Sequence, residues 1–306
     1  MKKDFVSITD LKKDEILELF EDAIKMKKKV KKGIQHHYLK GKTLAMIFEK
    51  PSLRTRVSFE VGMFQLGGTA IYLAPSDIKL GVRESVPDVA RNLSRWVSGI
   101  MARTFAHKTV VDLAENATIP VINGLSDLEH PCQILADFLT ILEHKKTVKG
   151  LNIAWVGDGN NVCHSLMLCS AMLGSNMRIA VPKGYEPNKE IMDKALEFAK
   201  KTKVKIELFN DPFPACKDAD VIYTDVWTSM GQEEEKEKRM RDFKGFQVNK
   251  ELLEVADKNV IVMHCLPAHR GEEITDDVLD GIHSVVLDEA ENRLHAQKAL
   301  LVKLMG

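Results

Sequence analysis

The sequence has no surplus of either charge: Lys and Arg together number 44, as do Asp and Glu. That balance leaves no global basic field of the kind that gathers nucleic acid, so an anionic ligand would need a local cluster of cations. Cysteine is sparse. Cys132, Cys163, Cys169, Cys216 and Cys265 are odd in number, suggest no disulfide framework and show no paired metal-ligand spacing, which suits a reducing cytoplasm. No run of 18 apolar residues occurs, which argues against a membrane-spanning helix. The opening Met1-Lys2-Lys3-Asp4-Phe5 is not followed by the apolar core of an export signal, and repeats and low-complexity tracts are missing. These absences point to a cytoplasmic protein with no nucleic-acid and no membrane partner.

What is present is an ordinary globular composition, 44% apolar and 29% charged, over 306 residues, enough for two domains with separate cores. Residues 10–32 place Leu11, Ile16, Leu19, Phe20 and Ile24 near helical spacing. The lysines from Lys25 to Lys32 fall at that helix's C-terminus, where cations are favoured, and read as a solvated face. After Gly41, short apolar runs predict strands at 43–48, 69–73, 98–102 and 119–122, separated by helical patterns at 55–67, 84–97, 107–116 and 131–144. The alternation restarts at Leu151–Val156, with further strands at 177–181, 205–209, 220–225, 260–264 and 284–287 and a closing helix from Glu289 to Leu304. This predicts an α/β chain of two doubly wound parallel-sheet domains. The first is residues 1–145, completed by the last helix at about 289–306; the second is 146–288. Open α/β sheets bind ligands beyond the carboxyl ends of their strands. The polar motifs of both halves lie there, so the active site is expected in a cleft between the domains.

The first motif, Glu49-Lys50-Pro51-Ser52-Leu53-Arg54-Thr55-Arg56, joins a strand to a helix. Unpaired N–H groups, hydroxyls and guanidinium forks at a helix start can converge on phosphate oxygens; the plainer alternative is a solvated turn with Ser52 as N-cap. The third strand ends in Arg103-Thr104, and the fourth leads to Glu129-His130-Pro131-Cys132-Gln133. Pro131 at the first helical position leaves His130 just outside the helix and Gln133 in its first turn.

In the second half, Val156-Gly157-Asp158-Gly159-Asn160-Asn161-Val162 follows a strand and opens a helix. It falls short of a dinucleotide fingerprint: Val162 replaces the third glycine and no acidic residue ends the next strand. The carboxamides of Asn160 and Asn161 suit a polar small molecule better. Asp225 ends a strand ahead of Trp227-Thr228-Ser229-Met230-Gly231, where a carboxylate could pair with a substrate ammonium and loop N–H groups with a carboxylate. The charged stretch from Glu233 to Arg241 behind it reads as a solvated, mobile helix. Another strand ends in His264-Cys265-Leu266-Pro267; Cys265 there could be a nucleophile, a metal ligand or a polar contact. His130, Cys132, His264 and Cys265 lack the close ligand pairs that make a zinc site, so no metal is expected.

Together these residues resemble the ornithine carbamoyltransferases. The resemblance rests on Ser52-Leu53-Arg54-Thr55-Arg56, Met101-Ala102-Arg103-Thr104, His130-Pro131-Cys132-Gln133 and Gly157-Asp158-Gly159-Asn160-Asn161. It continues through Asp225-Val226-Trp227-Thr228-Ser229-Met230-Gly231, His264-Cys265-Leu266-Pro267 and Glu291-Asn292-Arg293, seven motifs in family order. The family implies carbamoyl phosphate and L-ornithine as substrates, no cofactor, and a homotrimer or an assembly of trimers. It implies that Ser52, Leu53, Arg54 and Thr55 hold the phosphate, with Arg103 bridging phosphate and carbamoyl oxygen. His130 and Thr55 would face that oxygen, Gln133 and the Leu266 carbonyl the carbamoyl NH₂, and Arg293 the leaving phosphate. Asn161, Asp225, Ser229 and Met230 would grip the amino-acid end of ornithine, and Cys265 would lie beside its δ-amine. Arg103, His130 and Cys265 are thus the expected catalytic residues. Two departures matter. Leu53 stands where the family often has threonine, which leaves a backbone N–H but no hydroxyl. Lys79 stands where the family brings Gln or His to a neighbouring subunit's site. Relatives that carbamoylate putrescine, N-acetylornithine or aspartate are the alternative, against which the Asp225–Gly231 segment argues.

Overall fold

The structure, a computed structural model, describes residues 3–306; Met1 and Lys2, the start of the stretch read for an export signal, lie outside the described residues. The chain divides into two compact units, Met1–Leu139 with Glu291–Gly306, and Thr140–Ala290.

The first unit opens with helix α1 (Lys13–Lys31) and holds a parallel sheet of β1 (Thr43–Phe48), β2 (Thr69–Leu73), β3 (Gly99–Arg103) and β4 (Val121–Leu125) in the order β2-β1-β3-β4. Helices α2 (Leu53–Gln65), α3 (Val86–Trp96) and α4 (His107–Asn116) follow the first three strands, and α5 (Pro131–Lys145) follows the fourth. β1, β3 and β4 are almost wholly buried, as strands covered on both faces must be. The order reverses direction between β1 and β3, and their register pairs Phe48 with Arg103. The segments after β1, β3 and β4 therefore leave the sheet side by side at its carboxyl edge, where such folds hold ligands.

The second unit repeats the design with β5 (Asn152–Val156), β6 (Asn176–Ala180), β7 (Ile206–Phe209), β8 (Val221–Thr224) and β9 (Ile261–His264) in the order β7-β6-β5-β8-β9. Helices α6 (Asn161–Leu173), α7 (Lys189–Thr202) and α8 (Lys236–Asp242) are among those between the strands, and α9 (Val286–Met305) closes the chain. Trp155 and Tyr223, fully buried on neighbouring strands, stack at 5.3 Å. The register sets Val156 beside Thr224 and Thr224 beside His264, so Gly157, Asp225 and Cys265 emerge together.

Three sequence readings need correction. Residues 284–287 are not a strand: Ser284 makes only an isolated bridge to Val262, and α9 starts at Val286. Starting there brings Glu289 within reach of Tyr223 Oη and the His264 N–H, each at 3.0 Å. The stretch from Glu233 to Arg241 is not simply a solvated helix, because Arg239 is buried against Asp158 and Trp227. The lysine-rich end of α1 is not wholly solvated either: Lys27 is buried, its Nζ 2.8 Å from Asn292 Oδ1 and 3.2 Å from Glu291 Oε2.

Candidate active site

In the first unit, Ser52 caps α2, its Oγ accepting from the Thr55 N–H at 3.3 Å. The capping and anion-cradle readings are compatible, since one accepted N–H leaves the other first-turn donors of α2 in place. Leu53 is the first helical residue and 74% exposed, so its side chain brings nothing polar there and only its N–H can serve. Thr55 is fully buried and its Oγ1 accepts from Arg293 Nη2 at 3.2 Å. Arg54 is part-exposed beside it. Arg103, buried at the end of β3, has its carbonyl fixed by the Glu49 N–H at 2.8 Å.

His130 sits directly before α5, its carbonyl accepting the Gln133 N–H at 3.1 Å, as Pro131 at the first helical position predicts. Burial, then the nearby Arg293, Arg103, Lys50 and Arg54 charges, hold His130 well below the usual histidine range. Both causes favour the neutral imidazole, which can still donate a hydrogen bond. Lys50 is pushed down to about 8, by burial first and by Arg103 second. Gln133 is buried and bridges two groups: its Oε1 accepts from Arg293 Nη1, and its Nε2 donates to Asp137 Oδ1 at 2.8 Å. Cys132 is not a candidate nucleophile; burial pushes its thiol up to about 12, and it donates to Asn123 O at 3.3 Å. Lys79, exposed with φ 42°, caps a short helix and belongs to a different segment from this cluster.

In the second unit, Asp225 is buried, and each of its oxygens accepts one hydrogen bond from the protein. Its Oδ1 accepts from Cys265 Sγ at 3.0 Å and its Oδ2 from Asn160 Nδ2 at 2.8 Å. Asn160 also caps α6, its Oδ1 accepting from the Val162 and Cys163 N–H groups at 3.0 and 3.1 Å. It therefore spends its carboxamide on the protein. His264 is fully buried; its Nδ1 accepts from the Leu266 N–H at 2.8 Å, so the hydrogen lies on Nε2 and is given to Glu273 at 3.0 Å. With both ring nitrogens in use, His264 has no lone pair left for a metal in the cluster that it forms with Asp225 and Cys265. His130 and Cys132 belong to neither group of possible metal ligands among the described residues.

Leu266 has φ 57°, a backbone conformation costly for a branched side chain, and precedes a cis peptide to Pro267. Ser229 is part-buried and Met230 48% exposed. The loop N–H groups expected to meet a carboxylate are partly taken: Ser229 N–H by Gln232 Oε1 at 3.1 Å, and Gly231 N–H by both Glu233 oxygens at 3.0 Å. Behind them Arg239 Nη1 donates to Asp158 Oδ2 at 2.9 Å and to Trp227 O at 3.0 Å. Burial pushes Asp158 up to about 6 even though Arg239 opposes the shift.

Asp137, Lys50 and Glu273 were not among the residues singled out from the sequence. Of these only Asp137 carried a signal, its i+4 spacing from Gln133.

Comparison with known proteins decides the family. Residues 3–143 match the carbamoyl-P binding domain, and residues 149–304 the Asp/Orn binding domain, of aspartate/ornithine carbamoyltransferases. The chain belongs to the aspartate/ornithine carbamoyltransferase family. It is 59% identical to the ornithine carbamoyltransferase of Methanosarcina acetivorans over 305 residues, covering 100% of both chains. The ornithine carbamoyltransferase of Pyrococcus furiosus, named anabolic, is 55% identical over 304 residues, 99% of this chain and 96% of the relative. The solved structure of the Pyrococcus furiosus protein superposes with a TM-score of 0.97 over 100% of this chain and 97% of that one. A Campylobacter jejuni anabolic ornithine carbamoyltransferase, 42% identical, gives 0.94 over 99% and 98%.

Proposed function

We propose that this protein transfers the carbamoyl group of carbamoyl phosphate to the δ-amine of L-ornithine, giving L-citrulline and phosphate. The observation that carries the reading is the end-to-end identity of 59% to an ornithine carbamoyltransferase, joined to a second unit whose buried Asp225 and part-exposed Cys265 suit an amine. In this account Ser52, Leu53, Arg54 and Thr55 hold the phosphate, Leu53 by backbone alone, with Arg293 on its leaving side. Arg103, neutral His130 and Thr55 face the carbamoyl oxygen; Gln133 and the Leu266 carbonyl take the NH₂. Asn161, Asp225, Ser229 and Met230 hold the amino-acid end of ornithine. Lys79 reaches a neighbouring subunit's phosphate site as a point charge.

An alkylammonium has no lone pair, and the δ-amine, like lysine's, has an ordinary pKa of about 10.4. The site must take or generate the neutral amine, which desolvation beside Cys265 and Asp225 favours. Its lone pair bonds to the carbamoyl carbon and the carbonyl electrons move to oxygen, where Arg103, His130 and Thr55 stabilise the charge. Collapse of that intermediate breaks the C–O bond to phosphate, which departs with the electron pair and takes up the proton lost from nitrogen. A neutral His130 serves here as a donor that needs no protonation change.

The cytoplasm is the proposed compartment, and no helix among the described residues is long and apolar enough to cross a membrane. A homotrimer, or an assembly of trimers, is supported by Leu53, Val57 and Phe64, exposed at 74, 45 and 78% along one face of α2. The relatives named anabolic favour flux toward arginine. The acceptor is tested by colorimetric citrulline assay with ornithine, putrescine and N-acetylornithine in parallel. Ornithine is expected to be used best, and faster turnover of either other amine would sink the assignment.

A further inference from the structure

Asp137 follows Gln133 by one helical turn of α5, so the two side chains share a face of the helix. Asp137 and Gln133 are 0% and 1% exposed. Gln133 Nε2 donates to Asp137 Oδ1 at 2.8 Å, while its Oε1 accepts from Arg293 Nη1. A carboxylate offers no N–H and a guanidinium no acceptor, so the amide is read from both ends and only one of its two orientations satisfies both neighbours. Arg293 is itself held in place, Nη2 donating to Thr55 Oγ1 at 3.2 Å. With the Gln297 amide oxygen facing it, Arg293 also donates through Nε and Nη2 at 3.0 Å, while Gln297 donates to Ser58 Oγ at 2.5 Å.

We propose that Asp137 is a positioning residue that locks the Gln133 amide with its oxygen toward the carbamoyl NH₂, and so lets the site tell a carbamoyl group from an acyl group without N–H donors. The inference rests on the reading that Gln133 accepts from that NH₂. A rotated amide would point its own NH₂ at both Arg293 and the carbamoyl NH₂, donor against donor. Acetyl phosphate, with a methyl in place of the NH₂, leaves the Gln133 oxygen short of one donor in the locked site. A site built to pair a substrate N–H rejects the analogue that lacks it, and loses that selectivity when its own group can turn.

The test is the ratio of the inhibition constant of acetyl phosphate to the KM of carbamoyl phosphate, together with the KM of ornithine. Asp137→Asn presents either an oxygen or an NH₂ to Gln133. It is expected to lower the ratio at least ~10-fold, the scale of one hydrogen bond to a charged group, with the KM of ornithine unchanged. A loss of packing alone would weaken both phosphates equally and leave the ratio where it was. Gln133→Glu combined with Asp137→Asn restores an unambiguous pairing, since the glutamate has only acceptors and the asparagine amide donates to it; the ratio should recover. If Gln133→Ala abolishes the selectivity but Asp137→Asn keeps it, the role of Asp137 is overturned. If Gln133→Ala keeps it, the Gln133 reading itself falls. Should the single Asp137 variant fail to fold, the double variant decides: a ratio at the wild-type level upholds the lock, and a collapsed one refutes it.

Discussion

Replacing Arg239 by methionine is expected to loosen the acceptor-binding segment and leave phosphate binding alone. The Arg239 side chain is 7% exposed and ties three groups together: Asp158 Oδ2 at 2.9 Å, Trp227 O at 3.0 Å and Glu235 Oε2 at 2.9 Å. Methionine keeps the unbranched apolar stem but none of the donors. Breaking a buried pair by removing one partner costs about 3–5 kcal/mol, because the other charge stays buried. Asp158 makes that cost pH-dependent. Burial already raises it from its ordinary 3.8 to about 6, so between those values the folded chain holds a proton that the unfolded chain releases. Its contribution to stability therefore falls as pH rises through that window. Without Arg239 the window extends upward, so the deficit of Arg239→Met should be small near pH 5 and grow from pH 6 to 8. Urea unfolding at those pH values reads it. In turnover, the segment carrying Ser229 and Met230 loses its anchor at the Trp227 carbonyl. The KM of ornithine is expected to rise ~10-fold or more, the scale of one charge-assisted hydrogen bond, with that of carbamoyl phosphate unchanged. A deficit that does not vary with pH, or an unchanged KM for ornithine, would refute the reasoning.

Arg103→Ala should lower kcat at least ~100-fold with an unchanged circular-dichroism spectrum, as for loss of an oxyanion donor; a folded variant turning over near the parent rate would remove Arg103 from that role. Lys298 is fully buried between Gln65 Oε1 at 2.8 Å and His36 Nε2 at 3.0 Å, and burial lowers it to about 8. The unfolded chain binds the extra proton between about 8 and the ordinary 10.5, so stability rises with pH across that range. Lys298→Met should therefore stabilise the protein by ~2 kcal/mol at pH 7 after the lost hydrogen bonds are offset, and the gain should fade above pH 8 in thermal melts. Cys265 is part-exposed and the other four cysteines are buried. Alkylation of the native protein should therefore label Cys265 alone by peptide mapping, more slowly with ornithine present, and prompt labelling of Cys132 would contradict its buried place.

The parallel-strand framework was legible because each buried strand is a short apolar run and each helix keeps its period. The carboxyl ends of β1, β3, β4, β8 and β9 could be found without the structure, and with them Ser52, Arg103, His130, Asp225 and Cys265. Strand and helix starts are harder to tell apart. Val285-Val286-Leu287 reads as a strand in isolation, and only the reach of Glu289 to Tyr223 and His264 fixes it as a helix start. Charged residues misled where their partners lie far along the chain: Lys27 with Glu291, and Arg239 with Asp158, look solvated until folding joins them. Asn160 was expected on a ligand, yet its position ahead of α6 makes it the cap, and its amide is drawn to Asp225. Local sequence carries propensity; it does not carry which distant group claims a side chain first.

Nuclear magnetic resonance of ¹³C-labelled carbamoyl phosphate mixed with L-ornithine and the purified protein follows the transferred carbon itself. The label is expected in the δ-ureido carbon of citrulline, with one phosphate released for each citrulline formed. Label recovered only as bicarbonate, or on the α-nitrogen of ornithine, would contradict the proposed reaction.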